Sequence, residues 1–170
     1  MERTVIVLSS GQGINLAKLI TQELEGEITT ISTHSLEGVT KVDRLSEWIE
    51  QNLSNYSSVI FIGAVGIAVR LIAPCITNKY SDPAVVAVDV NGNYAISLLS
   101  GHVGGANKLT RRVSQILGAT PIITTRSDLD GVWALDTMGQ ELGWNVELQE
   151  TTMNSAIATF VNKEMVALLV

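Results

Sequence analysis

The run Leu98-Leu-Ser-Gly-His-Val-Gly-Gly-Ala-Asn107 gathers an imidazole, a hydroxyl and an amide among closely spaced glycines. His102 is one of two histidines in the chain, and an imidazole in such a loop can act as a base near neutral pH or as a metal ligand. A single histidine is more often structural than catalytic. Here Gly101, Gly104 and Gly105 crowd it on both sides and favour a site. Ser100 and Asn107 can each cap the following helix or bond a ligand. The second histidine, His34, stands in a polar stretch and reads as solvated.

Three further segments carry polar or glycine-rich chemistry. Gly11 and Gly13, in Ser9-Ser-Gly-Gln-Gly13, follow an apolar strand and precede a helical pattern, where open backbone N–H groups attract anions. A tight β–α turn explains them equally well. The dinucleotide fingerprint fails there, because Leu16 stands where its third glycine belongs. Gly63-Ala-Val-Gly66 offers a second anion cradle or, with equal weight, close helix–sheet packing. Arg70, in an apolar stretch, calls for a ligand or a buried ion pair. Lys79 and Asp82 lie in a five-residue polar loop that suits a site or an ordinary solvated turn. Thr124 and Thr125 close a further strand. In open α/β sheets ligands sit beyond the carboxyl ends of the strands, so segments 9–14, 63–70, 100–107 and 124–128 are expected on one rim, lining one cleft.

The elements that must position these residues follow from hydrophobic periodicity. Strands are expected at Val5–Leu8, Glu27–Ile31, Val59–Ile62, Ala84–Val90, Tyr94–Leu99 and Pro121–Thr125, with Asn91-Gly92 as a hairpin turn. Helices are expected over Asn15–Leu24, Thr40–Leu53, Gly66–Ala73 and Gly104–Leu117. That order predicts an α/β fold, a three-layer Rossmann-like domain with a mostly parallel sheet and one β-hairpin. It should span residues 1–128. Residues 129–170 read as the start of a second domain, with helices over Trp133–Leu142 and Thr152–Val161 and a strand over Met165–Val170. Because that last strand is apolar and stops abruptly, the expectation is a chain cut from a longer protein or the product of a split gene.

Composition bounds the function. Of 170 residues, 46% are hydrophobic and only 5% aromatic, so aliphatic side chains must fill the core, as suits a sheet covered on both faces. The net charge of −6 excludes the basic field of a general nucleic-acid binder. A locally positive pocket remains available from Arg70, Lys79, Arg111, Arg112 and Arg126. With one cysteine, Cys75, no internal disulfide or cysteine metal site can form. The longest apolar run, Val59–Pro74, is interrupted by Arg70 and falls short of a bilayer span. A cytoplasmic protein, with no membrane partner, is expected.

The strings Gly66-Ile-Ala-Val-Arg-Leu-Ile-Ala-Pro74, Lys79 with Asp82-Pro-Ala-Val-Val86, Ser97-Leu-Leu-Ser-Gly-His-Val-Gly-Gly-Ala-Asn107 and Ile122-Ile-Thr-Thr125 occur in the order seen in the CbiG family of cobalamin biosynthesis, and the chain resembles that family tightly over about residues 60–128. Arg126-Ser127 departs from the Ala-Thr expected before the aspartate. The resemblance implies hydrolysis of the δ-lactone of cobalt-precorrin-5A, with loss of acetaldehyde to give cobalt-precorrin-5B. It implies an N-terminal domain and part of a middle one, without the family's C-terminal domain. It implies no cofactor beyond the cobalt that the substrate carries and no protein metal site. The expected partner is an anionic cobalt-corrinoid. Other cobalamin-pathway enzymes, the absent C-terminal domain and a second copy of the chain are further candidates.

On that basis His102 and Ser100 are the expected catalytic residues. Substrate binding is assigned to Gly11, Gly13, Gly66, Arg70, Lys79, Asp82, Gly101, Gly104, Gly105, Asn107, Thr124 and Thr125. Backbone N–H groups of the Gly101–Asn107 turn are expected to meet carboxylates or the lactone oxyanion. A non-catalytic corrinoid-binding or docking module is the alternative, and nucleotide binding is a distant third.

Overall fold

Val5 and Val7 point to one side of the first strand and Ile6 and Leu8 to the other, and all four are buried. Alternation with both faces buried is the signature of a central strand in a sheet covered by helices on each side. A computed structural model describes residues 3–126, 128, 135–144, 146–147 and 152–162. It divides into two compact units, residues 1–122 and 123–170.

The first unit carries β1 (Arg3–Leu8), α1 (Ile14–Glu23), β2 (Glu27–Ser32), β3 (Thr40–Lys41), α2 (Leu45–Asn52), β4 (Ser58–Ile62), α3 (Val65–Ile72), β5 (Ala84–Val88), β6 (Tyr94–Leu99), α4 (Ala106–Leu117) and β7 (Thr120–Ile122). The strands form one seven-stranded sheet in the order β3-β2-β1-β4-β5-β6-β7. All neighbours are parallel except β5 and β6, the hairpin pair. Ile6, Leu8, Ile60, Ile62, Val86 and Val88 face α1 and α4 on one side. Val5, Val7, Val59, Phe61 and Val85 face α2 and α3 on the other. The α/β class, the mostly parallel sheet and the single hairpin are as expected.

Several boundaries differ from expectation. Thr40 and Lys41 do not open a helix to Leu53; they pair with Ile31 and Ser32 as an edge strand, and the N–H of Val42 donates to the Ser32 carbonyl at 2.9 Å. The β-branched run suits an open sheet edge that leaves backbone groups to satisfy. The Asn91-Gly92 turn is wider than two residues. The Asp89 carboxylate accepts from the N–H groups of Asn91 and Tyr94 at 3.2 and 2.7 Å, which ends β5 at Val88. The last strand of the sheet is Thr120–Ile122, so Thr124 and Thr125 lie beyond it.

In the second unit α5 (Leu135–Leu142) and α6 (Met153–Val161) pack on each other. Thr152 caps α6 by accepting from the Ser155 N–H. Trp133 and the expected strand over Met165–Val170 lie outside the described residues.

Candidate active site

The sheet sorts the expected site residues onto two opposite rims. β1, β2, β4 and β5 run one way, whereas β6 turns back, with Val85 opposite Leu99 and Val88 opposite Ala95. The carboxyl end of β6 therefore meets the amino ends of β1, β4 and β5. The single cleft expected from four carboxyl ends does not form in the first unit. A hairpin reverses strand polarity, and with it the rim on which the next loop emerges.

One rim carries Ser9–Gly13 after β1, His34 after β2 and Gly63–Gly66 after β4. Here Gly13 and Gly63 serve packing. A Cβ on Gly13 would sit 2.6 Å from Cγ2 of Ile62, and one on Gly63 would overlap the Ser9 side chain. Gly11 and Gly66 are open positions, the latter against the flexible Arg70 guanidinium. Arg70 is exposed and donates to the Gly66 carbonyl at 3.0 Å, one turn back in α3, so it forms no buried ion pair. His34 is exposed, with Nδ1 3.4 Å from the Ser32 hydroxyl. Leu16 packs on the hairpin turn at Gly92, which uses for packing the position of the missing fingerprint glycine.

The other rim brings together the loop before β5 and the loop after β6. In the first, Lys79 is exposed with its ammonium 5.0 Å from the Tyr80 ring. Asp82 is buried and accepts from Thr77, at 3.0 and 3.2 Å from its N–H and 2.8 Å from its hydroxyl. Burial alone would raise the Asp82 pKa, but the hydrogen bonds from Thr77 and the Asn78 N–H outweigh it and hold the carboxyl below its ordinary value. Asp82 is thus occupied as the staple of its own loop. Thr77, which does the stapling, was not singled out in the sequence. Its spacing of five residues before an aspartate and a proline is the only signal it leaves.

The second loop is a tightly bonded turn. Ser100 takes a left-handed φ of 57°, uncommon for a residue with a side chain. The N–H groups of Gly105, Ala106 and Asn107 donate to the carbonyls of His102, Ser100 and Gly101 at 2.9, 3.1 and 2.9 Å. Those three donors, expected to meet the substrate, are consumed inside the turn. Gly105 caps α4 with φ 85°, and Gly104 lies so close over Ser100 that a Cβ would overlap the serine side chain. The Ser100 hydroxyl is enclosed, which suits a turn-forming residue rather than an attacking one. Asn107 is 4% exposed and accepts from the Ser97 hydroxyl at 2.7 Å, so it too faces inward. Ser97 was missed as the hydrogen-bond partner of Asn107; a serine two residues from buried Ala95 on one strand face was the available signal. His102 is half-buried on this turn. In the second unit, the Thr125 hydroxyl donates to Asp128 Oδ2 at 2.6 Å. Among the described residues no cluster of three or more His, Cys, Asp or Glu could hold a metal, and no helix is long and apolar enough to cross a membrane.

Two family models match the chain: "Cobalamin synthesis G N-terminal" over residues 47–128 and "Cobalamin biosynthesis central region" over residues 133–170. The chain belongs to the CbiG family. It is 40% identical over 157 residues to the cobalt-precorrin-5A hydrolase of Salmonella typhimurium, covering 92% of this chain and 45% of that protein. It is 44% identical over 115 residues to the protein of the same name from Priestia megaterium, covering 68% and 30%. A crystal structure of a cobalamin biosynthesis protein G homolog from Sulfolobus solfataricus superposes with a TM-score of 0.58 at 30% identity, over 72% of this chain and 36% of that one. This CbiG chain therefore spans less than half the length of the curated relatives it matches. The rim bearing His102 lies within the N-terminal match.

Proposed function

We propose that this chain takes part in the hydrolysis of cobalt-precorrin-5A for which its relatives are named, and that the reaction opens the δ-lactone and releases acetaldehyde to give cobalt-precorrin-5B. The observation that carries this is the rim shared by the His102 turn and the Lys79 loop, which puts an imidazole and an exposed cation at the same edge of the sheet. The substrate is a polycarboxylate macrocycle, and Lys79 suits its acetate and propionate arms. His102 takes a proton from water as the water adds to the lactone carbonyl. The acyl C–O bond breaks, leaving a carboxylate and a hydroxyl on the bridging carbon. Deprotonation of that hydroxyl forms the aldehyde C=O and expels acetaldehyde. The electron pair of the broken C–C bond returns to the macrocycle, which takes up a proton.

Ser100, Asp82 and Asn107 shape this rim from inside, Gly104 lets the turn close over Ser100, and Gly101, Gly104 and Gly105 are retained as candidate substrate contacts. Gly11, Gly13, Gly66 and Arg70 belong to the opposite rim and are assigned no substrate contact. Thr124 and Thr125 are retained as candidate substrate contacts. Cobalt enters as part of the substrate, no further cofactor is assigned, and the reaction is placed in the cytoplasm. Other cobalamin-pathway enzymes or a second copy of the chain are candidate partners.

One observation favours a second reading, in which the chain holds the corrinoid without turning it over. With the Ser100 hydroxyl enclosed and Asn107 turned to Ser97, residues 100–107 offer His102 with no second side-chain acid or base. Incubating the chain with cobalt-precorrin-5A and measuring acetaldehyde by coupled NADH oxidation separates the two. Acetaldehyde release supports hydrolysis. Corrinoid binding without release supports the holding role, and neither would overturn both.

A further inference from the structure

We propose that Ser97 on β6 is a positioning residue for His102, acting through Asn107; this rests on the assignment of His102 as the base. The Ser97 hydroxyl donates to Asn107 Oδ1 at 2.7 Å, joining the strand before the turn to the first turn of the helix after it. Asn107 is buried at 4% exposure, so its end of this bond is shielded from solvent. The Asn107 N–H in turn donates to the Gly101 carbonyl at 2.9 Å, directly before His102. The Ala106 and Gly105 N–H groups hold the carbonyls of Ser100 and His102. Three successive carbonyls, 100 to 102, are thereby fastened to the residues that Ser97 locates.

The turn has no slack to absorb a shift. Ser100 is in the left-handed region, its hydroxyl enclosed, and Gly104 presses on it. Any rotation of the α4 first turn must pass to His102. A buried neutral hydrogen bond adds little net stability, and an aliphatic residue beside Ala95 would pack as well. Its value here is directional: it admits one seating of Asn107 and hence one position of the imidazole. Displacements of about 1 Å at a reacting group cost on the order of 100-fold in rate.

The test uses Ser97→Ala and Ser97→Thr in the whole chain, with cobalt-precorrin-5A as substrate. Ser97→Ala should lower kcat by about 10- to 100-fold with KM held within about twofold. Ser97→Thr, which keeps the hydroxyl, should restore it. Combined with His102→Gln, Ser97→Ala should add no further loss. Because the chain has two histidines, imidazole NMR supplies a readout independent of turnover: the His102 Cε1–H signal should move in Ser97→Ala and return in Ser97→Thr, with His34 unmoved. Should Ser97→Ala fail to fold, Ser97→Cys, a weak donor of similar size, carries the same comparison. An unmoved His102 signal with wild-type kcat, or a loss that adds in full to His102→Gln, overturns the proposal. If His102→Gln itself turns over like wild type, the base assignment fails, and the NMR comparison still decides whether Ser97 positions the imidazole.

Discussion

Val85 and Leu99 stand opposite each other in the antiparallel pair of the sheet, and that pairing decides on which rim His102 emerges. Were β6 parallel to β5, the His102 turn would open beside Ser9 and Gly63. Instead it opens beside the Lys79 loop. The expectations below turn on that separation of rims.

Replacing His102 by Gln should cut acetaldehyde release at least about tenfold, equal to roughly 1.4 kcal/mol of transition-state stabilisation. Substrate binding, followed by the corrinoid absorbance, should survive. Turnover at the wild-type rate would remove His102 from the chemistry.

The two rims should respond differently to substitution. Lys79→Gln is expected to raise KM by about three- to tenfold with little change in kcat, as for a lost contact made equally in ground and transition states. Arg70→Ala and Gly66→Ala should leave both constants unchanged. Gly66→Ala should also stabilise the helix by about 0.4–1 kcal/mol, since the residue is helical and a Cβ meets only the movable Arg70 side chain. A rise in KM in the Gly66 variant would return that rim to consideration.

Gly104 and Gly105 should part company. A Cβ on Gly105 meets open space, leaving only the strain of its left-handed backbone, about 1–2 kcal/mol. A Cβ on Gly104 meets Ser100, an overpacking cost of about 1–3 kcal/mol that the turn can relieve only by moving His102. Urea unfolding and kcat measured together should show Gly105→Ala changing mainly stability, and Gly104→Ala changing both. Equal effects on kcat would contradict a turn held by the Gly104–Ser100 contact.

Asp82 supplies a pH signature. Its folded pKa is depressed, so its contribution to stability is fully present above the unfolded value, about 3.9, and is lost as pH falls through the lower folded value. Asp82→Asn should therefore melt below wild type at pH 7, with the gap closing only below about pH 4. A gap that closes between pH 7 and 5 would assign the effect to another group.

Much of the fold was legible because burial leaves a periodic imprint on the chain. Val5–Leu8, Val59–Ile62 and Ala84–Val88 are apolar on both faces, which only a doubly covered sheet can satisfy, and Leu16 and Ile20 repeat at helical spacing beside them. The Gly101–Gly105 turn was legible as well, since crowded glycines mark backbone that other residues avoid. The edge pairing of Thr40 and Lys41 was not, because two residues are too few to show a period. By itself, then, the sequence determined the α/β class, the hairpin and the identity of the motif around His102. Only the tertiary structure decided which motifs share a rim, that Asp82, Ser100 and Asn107 turn inward, and that Ser97 reaches Asn107. Local pattern reports how each segment is buried. Strand direction and hydrogen-bond partners are properties of pairs distant in sequence, which no local pattern encodes.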